Sequence, residues 1–176
     1  MDSVDWQGVL AAGHVLAALS ALLSGAAVLL LPKGTPTHRA VGTAYVLALV
    51  LVNVAALSLH RQSAFGVFHA LAVISLITIA VGLSPLLLGK RSPTVIANHA
   101  YCMTWSYAGL AAAGSGQLAA ATVAQDVGAW VVPTTIGTVL CLSGIVIFGR
   151  VPSILGRMLG GAPGLPSGPA KLRTDR

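Results

Sequence analysis

Residues 8–31 read GVLAAGHVLAALSALLSGAAVLLL, twenty-four positions without one ionised side chain. At 1.5 Å per residue such a helix is about 36 Å long, more than the roughly 30 Å of hydrocarbon in a bilayer. Four more stretches share this character, at residues 40–59, 64–88, 95–122 and 127–148. The chain is 56% hydrophobic and only 8% charged, against about 25% charged in an ordinary soluble domain. The composition predicts an all-α membrane protein, a bundle of five transmembrane helices in one domain. The histidine-bearing first four spans form its core and the fifth lies at its periphery.

The connections carry the charge. Lys33 and Arg39 flank the first, Lys90 and Arg91 the third, and Arg150 and Arg157 follow the last span, while Arg61 alone lies on the other side with Asp2, Asp5 and Asp126. Basic residues stay on the cytoplasmic side, so the amino terminus is expected outside and the carboxy terminus in the cytoplasm. The formal charge of +6 then reports topology and not nucleic-acid binding. The start, Met-Asp-Ser-Val-Asp, lacks the basic n-region of a signal peptide, so the first span is expected to remain in the protein. Residues 1–7 are expected outside the bundle, residues 8–159 form it, and the Gly- and Pro-rich residues 160–176 make a disordered basic tail. Cys102 and Cys141 read as small apolar residues, not a disulfide.

Within the spans the histidines stand out, because an imidazole near hydrocarbon needs a partner. His14 lies about one and a half turns into the first span, above a stripe of Ala17, Ala18, Ala21 and Gly25. Small residues at that spacing let a neighbouring backbone approach, or leave a groove for a flat macrocycle. In the connection PKGTPTHR, residues 32–39, Thr37 is the expected helix cap, with His38 in the first turn and Gly42 and Tyr45 on its side. Asn53 is expected to bond inside the bundle. His60 closes the second span and reads as surface. His69 opens the third, which Pro85 and Gly89 end. The fourth is the most polar, with His99 near its start, Met103 four residues on and Gln117 near its far end. The fifth span carries no histidine, and Pro133 is expected to kink it.

Depth along the spans sorts the histidines into two pairs, His14 with His69 at the outer face and His38 with His99 at the inner. Nineteen residues separate His69 from Leu88, about 28 Å of helix, which leaves the two pairs ~20–25 Å apart. Imidazoles on different helices can take both axial positions of a haem. Two haems of b type, one per pair, would carry an electron across the bilayer, an arrangement with the architecture of the cytochrome b561 group. Gly25, Gly42, Tyr45, Met103 and Gln117 are the expected supporting residues. A metal-free scaffold or accessory subunit with hydrogen-bonded histidines is the competing expectation. A proton or divalent-cation carrier is disfavoured, since the chain has no glutamate and its four aspartates lie outside the spans. Copper or zinc is a third reading, with His99, Cys102 and Met103 as soft ligands for Cu(I). No hydrolase or transferase motif is present. The bilayer is the one partner the sequence demands. A homo-oligomer through the small-residue stripe, or a redox partner, would be compatible with it.

Taken together, PKGT at 32–35 with His38, Gly42 and Tyr45, then Phe65, Phe68 and His69, then His99, Met103 and SYAGL at 106–110 resemble the bacterial membrane proteins grouped as domain of unknown function family 2306. The resemblance runs from His14 to Gln117 and does not reach the fifth span. It implies a small multi-span protein of the bacterial cytoplasmic membrane with intramembrane histidines, and it assigns no substrate. Many relatives are expected to have an acidic residue near Gln117. The amide here weighs against a carboxylate-dependent role at the outer site.

Overall fold

The computed structural model describes residues 5–59, 66–122 and 125–160, the side chains of 125–129 and 160 aside. His60, Arg61 and the tail from residue 161 lie outside these residues, and so do the expectations attached to them.

Five helices follow one another: α1 Trp6–Leu30, α2 Pro36–Ser58, α3 Val67–Leu87, α4 Pro93–Thr122 and α5 Gln125–Gly160. There is no strand among the described residues. The Asp5 carboxylate caps α1 by accepting from the Gly8 N–H at 3.0 Å. At its far end the Lys33 ammonium donates to the carbonyls of Val28 at 2.9 Å and Leu29 at 2.7 Å, which satisfies acceptors that a helix end leaves open. Burial in this position holds the Lys33 pKa below its ordinary value. The turn to α2 passes through Gly34 at φ 80°, a backbone conformation that favours glycine.

The start of α2 differs from the expected one. Thr35, not Thr37, is the cap, and its hydroxyl accepts from the His38 N–H at 3.1 Å. The reason is Pro36, whose ring presets the first helical position and sacrifices only an N–H that has no intrahelical partner there. In α3, Pro85 lies inside the last turn. The chain then reverses at Gly89, φ 77°, and the Lys90 N–H closes back on the Pro85 carbonyl at 2.9 Å.

Helix α1 packs on α2 and α4, α3 packs on α2 and α4, and α5 packs on α4. The first four helices therefore close into a ring in which α1 faces α3 and α2 faces α4 across the interior. The periphery of α5 agrees with the expectation. The helix was expected to end at residue 148, however, and it runs on to Gly160. Ile147, Val151 and Leu155, four residues apart, are buried against Ile96, Ala97 and Ala100 at the start of α4. That seam carries the helix through Pro152, while Arg150 and Arg157 stay exposed. At the other end of the α4–α5 contact, Ile136 fills the place of a Gly116 side chain, with Cγ1 2.7 Å from where a Cβ would stand.

Four helices are long and apolar enough to cross a membrane: Trp6–Leu30, Pro36–Ser58, Val67–Leu87 and Trp130–Leu159. Of the five spans expected, α4 is the one that falls short of this apolarity, as its reading as the most polar of them foreshadows. Its polar groups are met from inside the bundle, by α1, α2 and α3. The Asn98 amide donates to the Val81 carbonyl at 3.1 Å, Ser106 meets the Tyr45 hydroxyl at 2.8 Å, and the Tyr107 hydroxyl donates to the Leu22 carbonyl at 3.4 Å. Each bond removes a polar atom from contact with lipid.

The surface is apolar where that of a soluble protein would be polar. On α1, Val9, Leu16, Leu23 and Leu30 recur every seven residues at 56, 66, 74 and 87% exposure. The opposite stripe faces the interior, where Ala21 is 0%, Leu49 1% and Tyr45 2% exposed, and Val52, Ile79 and Leu110 complete the cluster. Replacing Tyr45 with phenylalanine removes the hydroxyl bond to Ser106 and is expected to destabilise the bundle by only about 0.6–1 kcal/mol, to be read as a small shift in an unfolding titration.

Candidate functional site

Both ends of the ring carry histidines. At the end where α1 begins, His14 on α1 is half-buried, and its Nδ1 lies 3.1 Å from the Val52 carbonyl on α2. A carbonyl only accepts, so Nδ1 carries the proton and Nε2 carries the lone pair. The ring borders a cavity of about 90 Å³ that also reaches Asn53, Phe68, Ser75, Gly109 and Gln117. His69, three residues from the cap of α3, uses its ring differently. Its Nδ1 accepts from the Gly66 N–H at 3.3 Å, so this ring has the opposite tautomer, with the proton on Nε2. It does not border the cavity, although the adjacent Phe68 does. The two residues sit on facing helices at one end, but only His14 turns to the shared space.

The opposite end brings His38 on α2 and His99 on α4 together across the other diagonal. His38 lies in the first turn of α2 and His99 near the start of α4, with Lys33 in the turn that leads into α2. The His99 Nδ1 donates to the Gly82 carbonyl at 3.2 Å, which again leaves the lone pair on Nε2. The Nδ1 of His38 is buried and has no hydrogen-bond partner among the described residues. An orphaned imidazole nitrogen in a protein interior is costly and calls for an explanation.

Gly82 is the residue the sequence did not single out. A Cβ there would lie 2.6 Å from the Cβ of Cys102 and 3.0 Å from the Met103 methyl, so glycine lets α3 and α4 approach closely enough for His99 to reach the backbone. Glycine in an otherwise apolar run just ahead of Pro85 was the available signal. Met103 packs against this contact, and the Cys102 thiol donates to the Asn98 carbonyl oxygen at 3.7 Å. Cys102 and Cys141 are both free thiols. No group of three or more His, Cys, Asp or Glu side chains among the described residues converges as metal ligands do.

The small residues expected to leave room for a macrocycle have other neighbours. Gly25 faces the rings of Tyr107 and Tyr45, with the nearest carbons 2.5 and 2.9 Å from where its Cβ would stand, and Gly42 meets Val28 at 3.6 Å. Tyr45 is core, and Gln117 is exposed at the rim of the cavity. The Ser75 hydroxyl, which the sequence did not single out either, accepts from the Asn53 amide at 2.9 Å.

The fold and its lipid-facing surface define a multi-pass helical membrane protein. The family model "Predicted membrane protein (DUF2306)" matches residues 11–152, and the chain belongs to that family. The match extends the resemblance beyond Gln117 through most of α5, in keeping with the seam between α4 and α5. No curated protein and no solved structure matches the chain. The expected likeness to cytochrome b561 is not among these findings.

Proposed function

We propose that this protein binds b-type haem between His38 and His99 and serves as an electron-transfer component of the bacterial cytoplasmic membrane. The observation that carries the reading is the buried, unpartnered Nδ1 of His38 beside His99, on helices that face each other. The donor chemistry fits. His99 keeps its Nδ1 proton on a backbone carbonyl, the outer contact that orients an imidazole ligand and raises its basicity. Haem held this way supplies one-electron redox chemistry. Gly82, Met103 and the α3–α4 contact orient His99, and the cations Lys90 and Arg91 in the adjacent turn are exposed and suited to carboxylate groups.

The other end fits less well. His69 would have to leave the end of its own helix before it could bind iron, so the proposal stops at one haem. The excess of Lys and Arg at the Lys33 end supports an orientation with the amino terminus outside. A reporter fused after Arg176 should then be active in the form that works in the cytoplasm and silent in the form that requires export. The reverse result would exclude this orientation.

The test of function is the absorption spectrum of the purified protein, oxidised and dithionite-reduced, after expression with ample haem. A Soret band and a sharp reduced alpha band are expected. A colourless protein would instead favour the second reading, a scaffold whose histidines are structural. The bonds of His14, His69 and His99 to their backbone partners speak for that reading.

A further inference from the structure

At the end of the bundle where α1 begins, we infer that the cavity shared by α1, α2, α3 and α4 binds a lipid-soluble molecule with a phenolic head, the hydroxyl donating to Nε2 of His14. This goes beyond the haem reading and does not depend on it, since the cavity lies at the other end of the ring. Three observations converge. First, the His14 tautomer is fixed by the Val52 carbonyl, so the nitrogen left over is a hydrogen-bond acceptor. Second, Asn53 is 5% exposed, gives its amide N–H to Ser75 and borders the same cavity. An imidazole acceptor and an amide set in so apolar a wall suit a ligand that brings a hydrogen-bond donor. Third, Gly109 and Gly114 border the same cavity, and a Cβ on either would meet nothing within 4 Å.

The dimensions select the class. A space of about 90 Å³ is smaller than the ~150 Å³ cavity that accepts benzene, so it takes the hydroxyl edge of a ring while the rest of the molecule extends outward. The Phe68 ring on the wall favours an aromatic head. Apart from Phe68, His14, Asn53, Ser75 and Gln117, the rest of the lining is Ala, Val, Leu and Gly, which suits an alkyl substituent. A molecule of this kind reaches the site from the bilayer.

The probe is radiolabelled 4-hexylphenol, measured as saturable binding to the full-length protein in detergent and displaced by unlabelled compound. Binding should be at least tenfold weaker in Gly109→Leu and Gly114→Leu, which add bulk at two positions of the cavity lining, and in His14→Phe. The methyl ether 4-hexylanisole, which cannot donate, should fail to displace the probe. The leucine variants keep the His14–Val52 bond, and unchanged helicity and melting will show that they fold, so a misfolded His14→Phe cannot decide the outcome. No saturable binding, binding unaffected by leucine at 109 and 114, or displacement by the ether as effective as by the phenol would each overturn the inference. Equal displacement by 1-octanol would overturn the aromatic head.

Discussion

Replacing His99 with alanine is expected to abolish the haem spectrum while leaving a folded bundle. The substitution removes one of the two imidazoles that would hold the haem and leaves the Gly82 carbonyl without its donor. A hydrogen bond of this kind inside a membrane bundle contributes about 0.6 kcal/mol on average, too little to unfold the protein. Absorbance at the Soret maximum, normalised to protein, should therefore fall to background with the melting temperature nearly unchanged. His38→Ala should behave alike, and it should even relieve the cost of the buried Nδ1. His69→Ala should leave the spectrum intact, because that ring belongs to the end of α3. Equal loss of colour in His69→Ala and His99→Ala would contradict the assignment of the haem to one diagonal.

Gly25→Leu is expected to be the most destabilising single change. The first added carbon already falls 2.5 and 2.7 Å from the ring of Tyr107 and 2.9 Å from that of Tyr45, closer than carbon atoms approach. Tyr45 is 2% exposed and held at its hydroxyl by Ser106, so it cannot swing aside without breaking that bond. Overpacking a well-filled interior costs about 1–3 kcal/mol and at times more. Here two rings and a polar contact are displaced together, so the upper end of that range is expected, read as a lowered midpoint in an SDS-unfolding titration. Gly109→Leu is the internal control, being as large a change at a position where an added Cβ meets nothing within 4 Å.

These contrasts mark what could be read from the sequence. The apolar runs placed α1 to α4 to within a few residues, because a membrane span is a matter of length and composition. Depth placed His14 with His69 and His38 with His99 at common ends, since helical rise is constant. What depth cannot give is the direction of a ring. His69 lies at the expected level, but the unpaired N–H of Gly66 at the start of α3 competes for its nitrogen. The stripe through Ala21 and Gly25 was legible as close packing, but not its contents, because Tyr107 arrives from a helix more than eighty residues on. The expected end of α5 at residue 148 fell short because Arg150 closes the uncharged run, whereas Val151 and Leu155 bind the segment beyond it to α4. The polarity of α4 was plain, but that it is packed against α1, α3 and α5 is a tertiary fact.

The buried layer of Ala21, Tyr45, Leu49, Val52, Ile79 and Leu110 lies between the two histidine ends. With Ala21, Leu49 and Tyr45 at 0, 1 and 2% exposure, it is a dry insulating septum. Water and ions that enter from one face of the bundle meet it before they can reach the other. Vesicles containing the protein should accordingly hold a proton gradient as well as vesicles without it, and the chemistry at each end runs at the pH and ionic strength of its own side.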